Sequence, residues 1–137
     1  MQVKSFEEGF QKALRYLKNN DLPGLDKEIK ELTRINKKDA RIFYLKGIAA
    51  FKKKKYRKCI GFLKKITDLI NPAYKDNVYY YLSLSSYFLN KKQQADLYSQ
   101  RVYGKDLREK LAEILAPPSP GTTNPKKDIK KKESYTA

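Results

Sequence analysis

Residues 43–59 read Phe43-Tyr44-Leu45-Lys46-Gly47-Ile48-Ala49-Ala50-Phe51, then Lys52-Lys53-Lys54-Lys55, then Tyr56-Arg57-Lys58-Cys59. The first nine carry apolar residues at helical spacing around one small residue, Gly47, and no proline interrupts them. After the lysines, apolar spacing resumes at Tyr56, Cys59, Leu63 and Ile66. The pattern is a helix, a tight turn and a second helix. Gly47 lets the two helices approach closely, and the large residues around it fill the space toward neighbouring hairpins.

Working outward, the chain repeats this unit. Shifted against itself by 34 and then 36 residues, it aligns the small residues Ala13, Gly47 and Ser83. It also aligns Leu25/Cys59/Ala95, Phe10/Tyr44/Tyr80, Leu14/Ile48/Leu84, Leu17/Phe51/Tyr87 and Leu32/Ile66/Val102. Helices are predicted over 5–19, 22–35, 40–52, 55–70, 75–90, 91–103 and 105–115. Asp21 before Leu22-Pro23 reads as an N-cap with a first-turn proline, and Asp39 as a second N-cap. Asn71-Pro72 and Gly104 read as helix ends. The expected fold class is all-α, a right-handed α-solenoid of antiparallel hairpins with about seven helices.

A helical hairpin recurring at this period resembles the tetratricopeptide repeat, and residues 43–66 carry the match. Phe43 stands at the family's bulky first-helix position and Gly47 at its small one; Tyr56, Cys59, Leu63 and Ile66 stand at the second-helix positions. The third unit matches through Tyr79, Leu82, Ser83, Tyr87 and Ala95, with Lys92 and Ser99 departing from the pattern, and the first departs at Gly9 and Lys12. The resemblance implies repeats over about 5–38, 39–72 and 75–103, with 105–115 as the capping helix such arrays need. The stretch Asn77–Leu84 also resembles the second repeat of the mitochondrial outer-membrane fission adaptor family, whose membrane anchor has no counterpart in this sequence.

The resemblance further implies that first helices line a concave face. Its groove positions fall on Phe10, Leu14 and Leu17, on Tyr44, Ile48 and Phe51, and on Tyr80, Leu84 and Tyr87. A partner helix or extended peptide would dock on that apolar, Tyr-rich surface. The alternative is that these residues are inter-repeat core, or that helix 105–115 folds back over them. Arg41, Lys52 and Asn77 are the polar candidates on that face. The expected function is a non-catalytic protein–protein interaction module, a scaffold, adaptor or chaperone subunit, with no cofactor.

The formal net charge is +16, from 31 basic and 15 acidic residues. Residues 40–72 alone carry +9, and Lys52, Lys53, Lys54, Lys55, Arg57, Lys58, Lys64 and Lys65 form a candidate basic patch. It could steer an acidic partner, or bind nucleic acid or another polyanion, which is the alternative function. Against specific phosphate recognition, 25 of the bases are lysines and only six are arginines. Residues 116–137, with four prolines and five lysines, read as a disordered basic tail.

The chain has no His and a single Cys. That removes Ser-His-Asp and Cys-His nucleophilic sites, His-ligated metal and an intrachain disulfide. Cys59 falls at a small core position, and Glu7, Glu8, Asp26, Glu28 and Glu31 look like surface partners of lysines rather than an acid–base pair. No apolar run reaches the length of a membrane span, and the first residues lack the apolar core of a signal peptide, so the expected location is cytoplasmic.

Overall fold

The computed structural model describes residues 5–115; the expected tail at 116–137 lies outside them. The described residues form seven α-helices: α1 (Phe6–Lys18), α2 (Leu22–Ile35), α3 (Ala40–Lys52), α4 (Tyr56–Lys64), α5 (Lys75–Phe88), α6 (Lys92–Ser99) and α7 (Lys105–Leu115). A single 3-10 turn, Pro72–Tyr74, leads into α5.

Local chemistry sets the first three starts. Ser5 and Glu8 form a reciprocal capping box at α1, with the Glu8 N–H donating to Ser5 Oγ at 3.1 Å and the Ser5 N–H to Glu8 Oε1 at 3.0 Å. Asp21 accepts from the Gly24 N–H at 3.0 Å, with Pro23 in the first turn of α2. Asp39 accepts from the Arg41 N–H at 2.9 Å at the start of α3.

Two ends differ from expectation. The helix expected to reach 70 stops at Lys64, and the one expected to reach 103 stops at Ser99. Beyond Lys64 the bonds tighten to three-residue turns, Ile66 N–H to Leu63 O and Leu69 N–H to Ile66 O. Ile66, Thr67 and Asp68 are poor helix formers. Yet Ile66 and Ile70 are still buried, because the turns keep them on the core side. In α6 the Ser99 hydroxyl donates to the Asp96 carbonyl at 2.6 Å, competing with the helix ladder. Asn71-Pro72 opens a turn rather than closing a helix: Asn71 Oδ1 accepts from the Ala73 N–H at 2.9 Å.

The three hairpins turn identically. Asn20, Lys54 and Asn90 have φ of 57°, 63° and 63°. In each, the next N–H returns to the carbonyl five residues back at 2.8 Å: Asp21 to Tyr16, Lys55 to Ala50, Lys91 to Ser86. The left-handed residue itself bonds three back, to Leu17, Phe51 and Tyr87. These paired bonds are Schellman closures, and they recur at the same offsets as the aligned apolar sets. Asparagine adopts that backbone more readily than lysine. Lys54→Gly is therefore expected to raise stability by about 0.5–1 kcal/mol, read as a higher urea midpoint at constant m; an unchanged midpoint would show that the turn carries no strain.

Each hairpin packs within itself, α1 on α2, α3 on α4 and α5 on α6, and then on the next through α2–α3, α4–α5 and α6–α7. The odd helices also touch in order, α1 with α3, α3 with α5, α5 with α7, whereas α2, α4 and α6 do not touch one another. Three aligned sets lie fully buried at the hairpin centres: Ala13/Gly47/Ser83, Leu25/Cys59/Ala95 and Leu32/Ile66/Val102. The carboxylates expected to be simple surface partners mostly clip helices together. Glu7 meets Arg41 at 2.9 Å, Asp26 meets Lys53 at 2.8 Å, and Glu28, buried rather than exposed, lies 3.9 Å from Lys12.

Candidate functional site

Of the nine expected groove residues, Phe10, Tyr44, Ile48 and Leu84 are core, not surface. Helical spacing placed them on a common face, but two neighbours cover that face. Tyr74, from the 3-10 turn, lies 5.6 Å from the Phe10 ring and 5.2 Å from the Tyr44 ring, centroid to centroid. Helix α7 covers Leu84 with Leu111 and Leu115. Its packing partners are α5 and α6, so it continues the series of helices and does not fold back across α1 and α3.

The polar candidates on this face are also mostly spent internally. Asn77 Nδ2 donates to the Tyr44 hydroxyl at 3.1 Å, and burial pushes the Tyr44 phenol up to about 12. Arg41 donates two bonds to Asp39, Nε at 3.0 Å and Nη2 at 2.9 Å, and a third to Glu7. Its guanidinium sits 4.3 Å over the Phe6 ring. Those hydrogen bonds hold the Asp39 carboxyl below the usual carboxylate range, against a smaller opposing effect of burial. Lys52 alone stays exposed.

The other five groove residues, Leu14, Leu17, Phe51, Tyr80 and Tyr87, are half-buried. Phe51 joins them to aromatics that were not among the expected groove positions. Its ring lies 4.9 Å from Tyr81, 5.5 Å from Tyr56 and 6.3 Å from Phe88. Tyr56 stacks on Phe88 at 5.0 Å, Tyr87 meets Phe88 edge-on at 5.5 Å, and Tyr80 meets Tyr81 at 5.2 Å. Phe88 is 46% exposed. The signal for Tyr81 and Phe88 was in the sequence: they repeat the two-turn spacing of Tyr80 and Tyr87, one residue on.

The basic residues of the candidate patch are all exposed. Lys53, Lys55 and Lys58 line a cavity of about 580 Å³. Lys65 lies 5.5 Å over the Phe43 ring, and Lys64 borders a separate hollow beside Tyr79 and Tyr98. Lys52, Lys54 and Arg57 point to none of these, remaining exposed. Cys59 is fully buried, and burial pushes its thiol up to about 11, which keeps it unreactive near neutral pH. Among the described residues no three His, Cys, Asp or Glu side chains converge as metal ligands, and no helix is long and apolar enough to cross a membrane.

These features define a chain of helical hairpins packed in series, with an aromatic surface on α3, the start of α4 and α5, and a lysine-lined cavity elsewhere. No protein family, curated protein or solved structure matches it.

Proposed function

We propose that this chain is a non-catalytic interaction module of the tetratricopeptide type, a scaffold or adaptor that holds a segment of another protein against the aromatic surface of α3, α5 and the start of α4. The recurrence of the Schellman closures at offsets of 34 and 36 residues, in step with the buried sets, supports the repeat reading. The observation that carries the docking reading is the connected aromatic patch of Phe51, Tyr56, Tyr81, Tyr87 and Phe88, with Phe88 nearly half exposed. Rings already held by one another lose little freedom on binding and present large contact area. A single unpaired, buried cysteine suits a reducing compartment such as the cytoplasm. Nucleic acid on residues 52–65 is the weaker reading, because seven of those eight bases are lysines and only Arg57 offers the two-pronged grip on phosphate.

The test is Tyr87→Ala with Phe88→Ala. The partner captured by the wild-type chain should bind the double variant at least about tenfold more weakly, a loss of roughly 1.4 kcal/mol, while the helical circular-dichroism signal is kept. Full affinity in the folded double variant would remove the patch as the docking site.

A further inference from the structure

The cavity of about 580 Å³ is built from one stripe on each of three consecutive helices. Helix α3 and its C-cap contribute Lys46, Ala49, Ala50 and Lys53, and α2 contributes Asp26, Ile29, Lys30 and Thr33. Each set has the i, i+3, i+4, i+7 spacing of a single helix face. Helix α4 and its cap add Lys55, Lys58 and Phe62. Two turns of helix give the trough a length of roughly 10 Å. It exists because α2 and α4 do not touch and because the α3 residues between them are alanines.

This trough is not the aromatic surface. At 100° per residue, the 46/49/50/53 stripe lies about half a turn around α3 from Tyr44, Ile48 and Phe51. Its chemistry is also different. Its half-buried apolar residue is Phe62, above a base of Ile29, Ala49 and Ala50 that lies mostly within the core, and the walls carry five lysines against one carboxylate, Asp26. Asp26 is taken by Lys53 at 2.8 Å. Lys30, Lys55 and Lys58 meet no carboxylate among the described residues.

We infer that this trough binds an acidic amphipathic helix of another protein, laid with its apolar stripe against Phe62 and its carboxylates toward Lys30, Lys55 and Lys58. Charge complementarity selects the acid, and Phe62 selects a segment that also presents aliphatic side chains. A nucleic-acid strand would satisfy the lysines, but no arginine lines the trough to grip phosphate in two places. The inference stands apart from the aromatic patch and survives if that patch proves inert.

The probe is a labelled peptide of about 18 residues with leucines on one helical stripe and glutamates flanking it, titrated by anisotropy into the full chain. A scrambled peptide of equal composition and a single-stranded oligouridylate serve as comparators. Lys30→Glu with Lys58→Glu should weaken the amphipathic peptide at least about tenfold. Lys105→Glu with Lys110→Glu, the same charge change on α7, should leave it within about twofold. Phe62→Ala, which changes no charge, should weaken it about threefold or more. The proposal is overturned if the scrambled peptide binds as well, if the α7 pair weakens binding equally, if Phe62→Ala has no effect, or if the oligouridylate binds more tightly than the peptide and is the ligand lost on reversing Lys30 and Lys58.

Discussion

Tyr44→Ala is expected to cost about 3–5 kcal/mol, enough to unfold much of the domain at 37 °C. Tyr44 is 2% exposed, packs its ring on Phe10 and Tyr74, and accepts a hydrogen bond from Asn77. Removing the ring opens a cavity that three hairpin segments border at once. Tyr44→Phe keeps the ring and loses only the hydroxyl, so it should cost about 1 kcal/mol. The two variants also separate at high pH. With the phenol at about 12 in the folded chain against an ordinary value of 10, Tyr44 is neutral in both states below pH 10. Above it the unfolded chain ionises first. Stability is therefore lost as pH rises from 10 toward 12, by up to about 2–3 kcal/mol from this one group. Cys59 acts in the same direction, since its thiol is also raised by burial. Urea midpoints taken from pH 8 to 12 should fall less steeply for Tyr44→Phe than for the wild type. Equal slopes would mean that Tyr44 ionises in the folded chain as freely as in the unfolded one.

Gly47→Ala is expected to destabilise by about 1–3 kcal/mol and to lower the melting temperature by roughly 10 °C. A Cβ at 47 would stand 2.5 Å from Leu63 Cδ2 and 2.6 Å from its Cγ, and Leu63 is fully buried in the α3–α4 contact. Alanine would gain about 1 kcal/mol of helix propensity, so the observed loss understates the clash. Leu63→Ala in the Gly47→Ala background should cost less than Leu63→Ala alone, because the two changes relieve each other. Additive losses would show that the helices separate freely. The third hairpin carries a Cβ at the equivalent position: Ser83 is fully buried there, and its hydroxyl donates to the Ala95 carbonyl of the facing helix at 2.7 Å.

The hairpin centres were legible because one residue type recurs at each: small residues at 13, 47 and 83, and apolar ones at 32, 66 and 102. Helix starts were legible at Asp21 and Asp39, where a side chain acts on its own backbone. What periodicity cannot tell is what lies on top of a face. Phe10, Tyr44, Ile48 and Leu84 shared a face with the true surface residues and were separated from them by Tyr74 and α7, both distant partners. The lysine-lined trough escaped for the same reason. Each of its stripes is visible in one helix, but their convergence depends on α2 and α4 standing apart. The left-handed turn at Lys54 was hidden because neither glycine nor asparagine marks it.

The step from 34 to 36 residues has a mechanical consequence. The two added residues fall between Ile66 and Tyr80, the interval that contains the Pro72–Tyr74 turn. A row of hairpins gripping only their immediate neighbours can come apart from either end, one unit at a time. Tyr74 stands at the doorway of the third hairpin and reaches back past the second to Phe10 in the first. Peeling the outer hairpin away with its doorway turn therefore also costs the ring contact with the first hairpin, a tie that a purely nearest-neighbour row lacks.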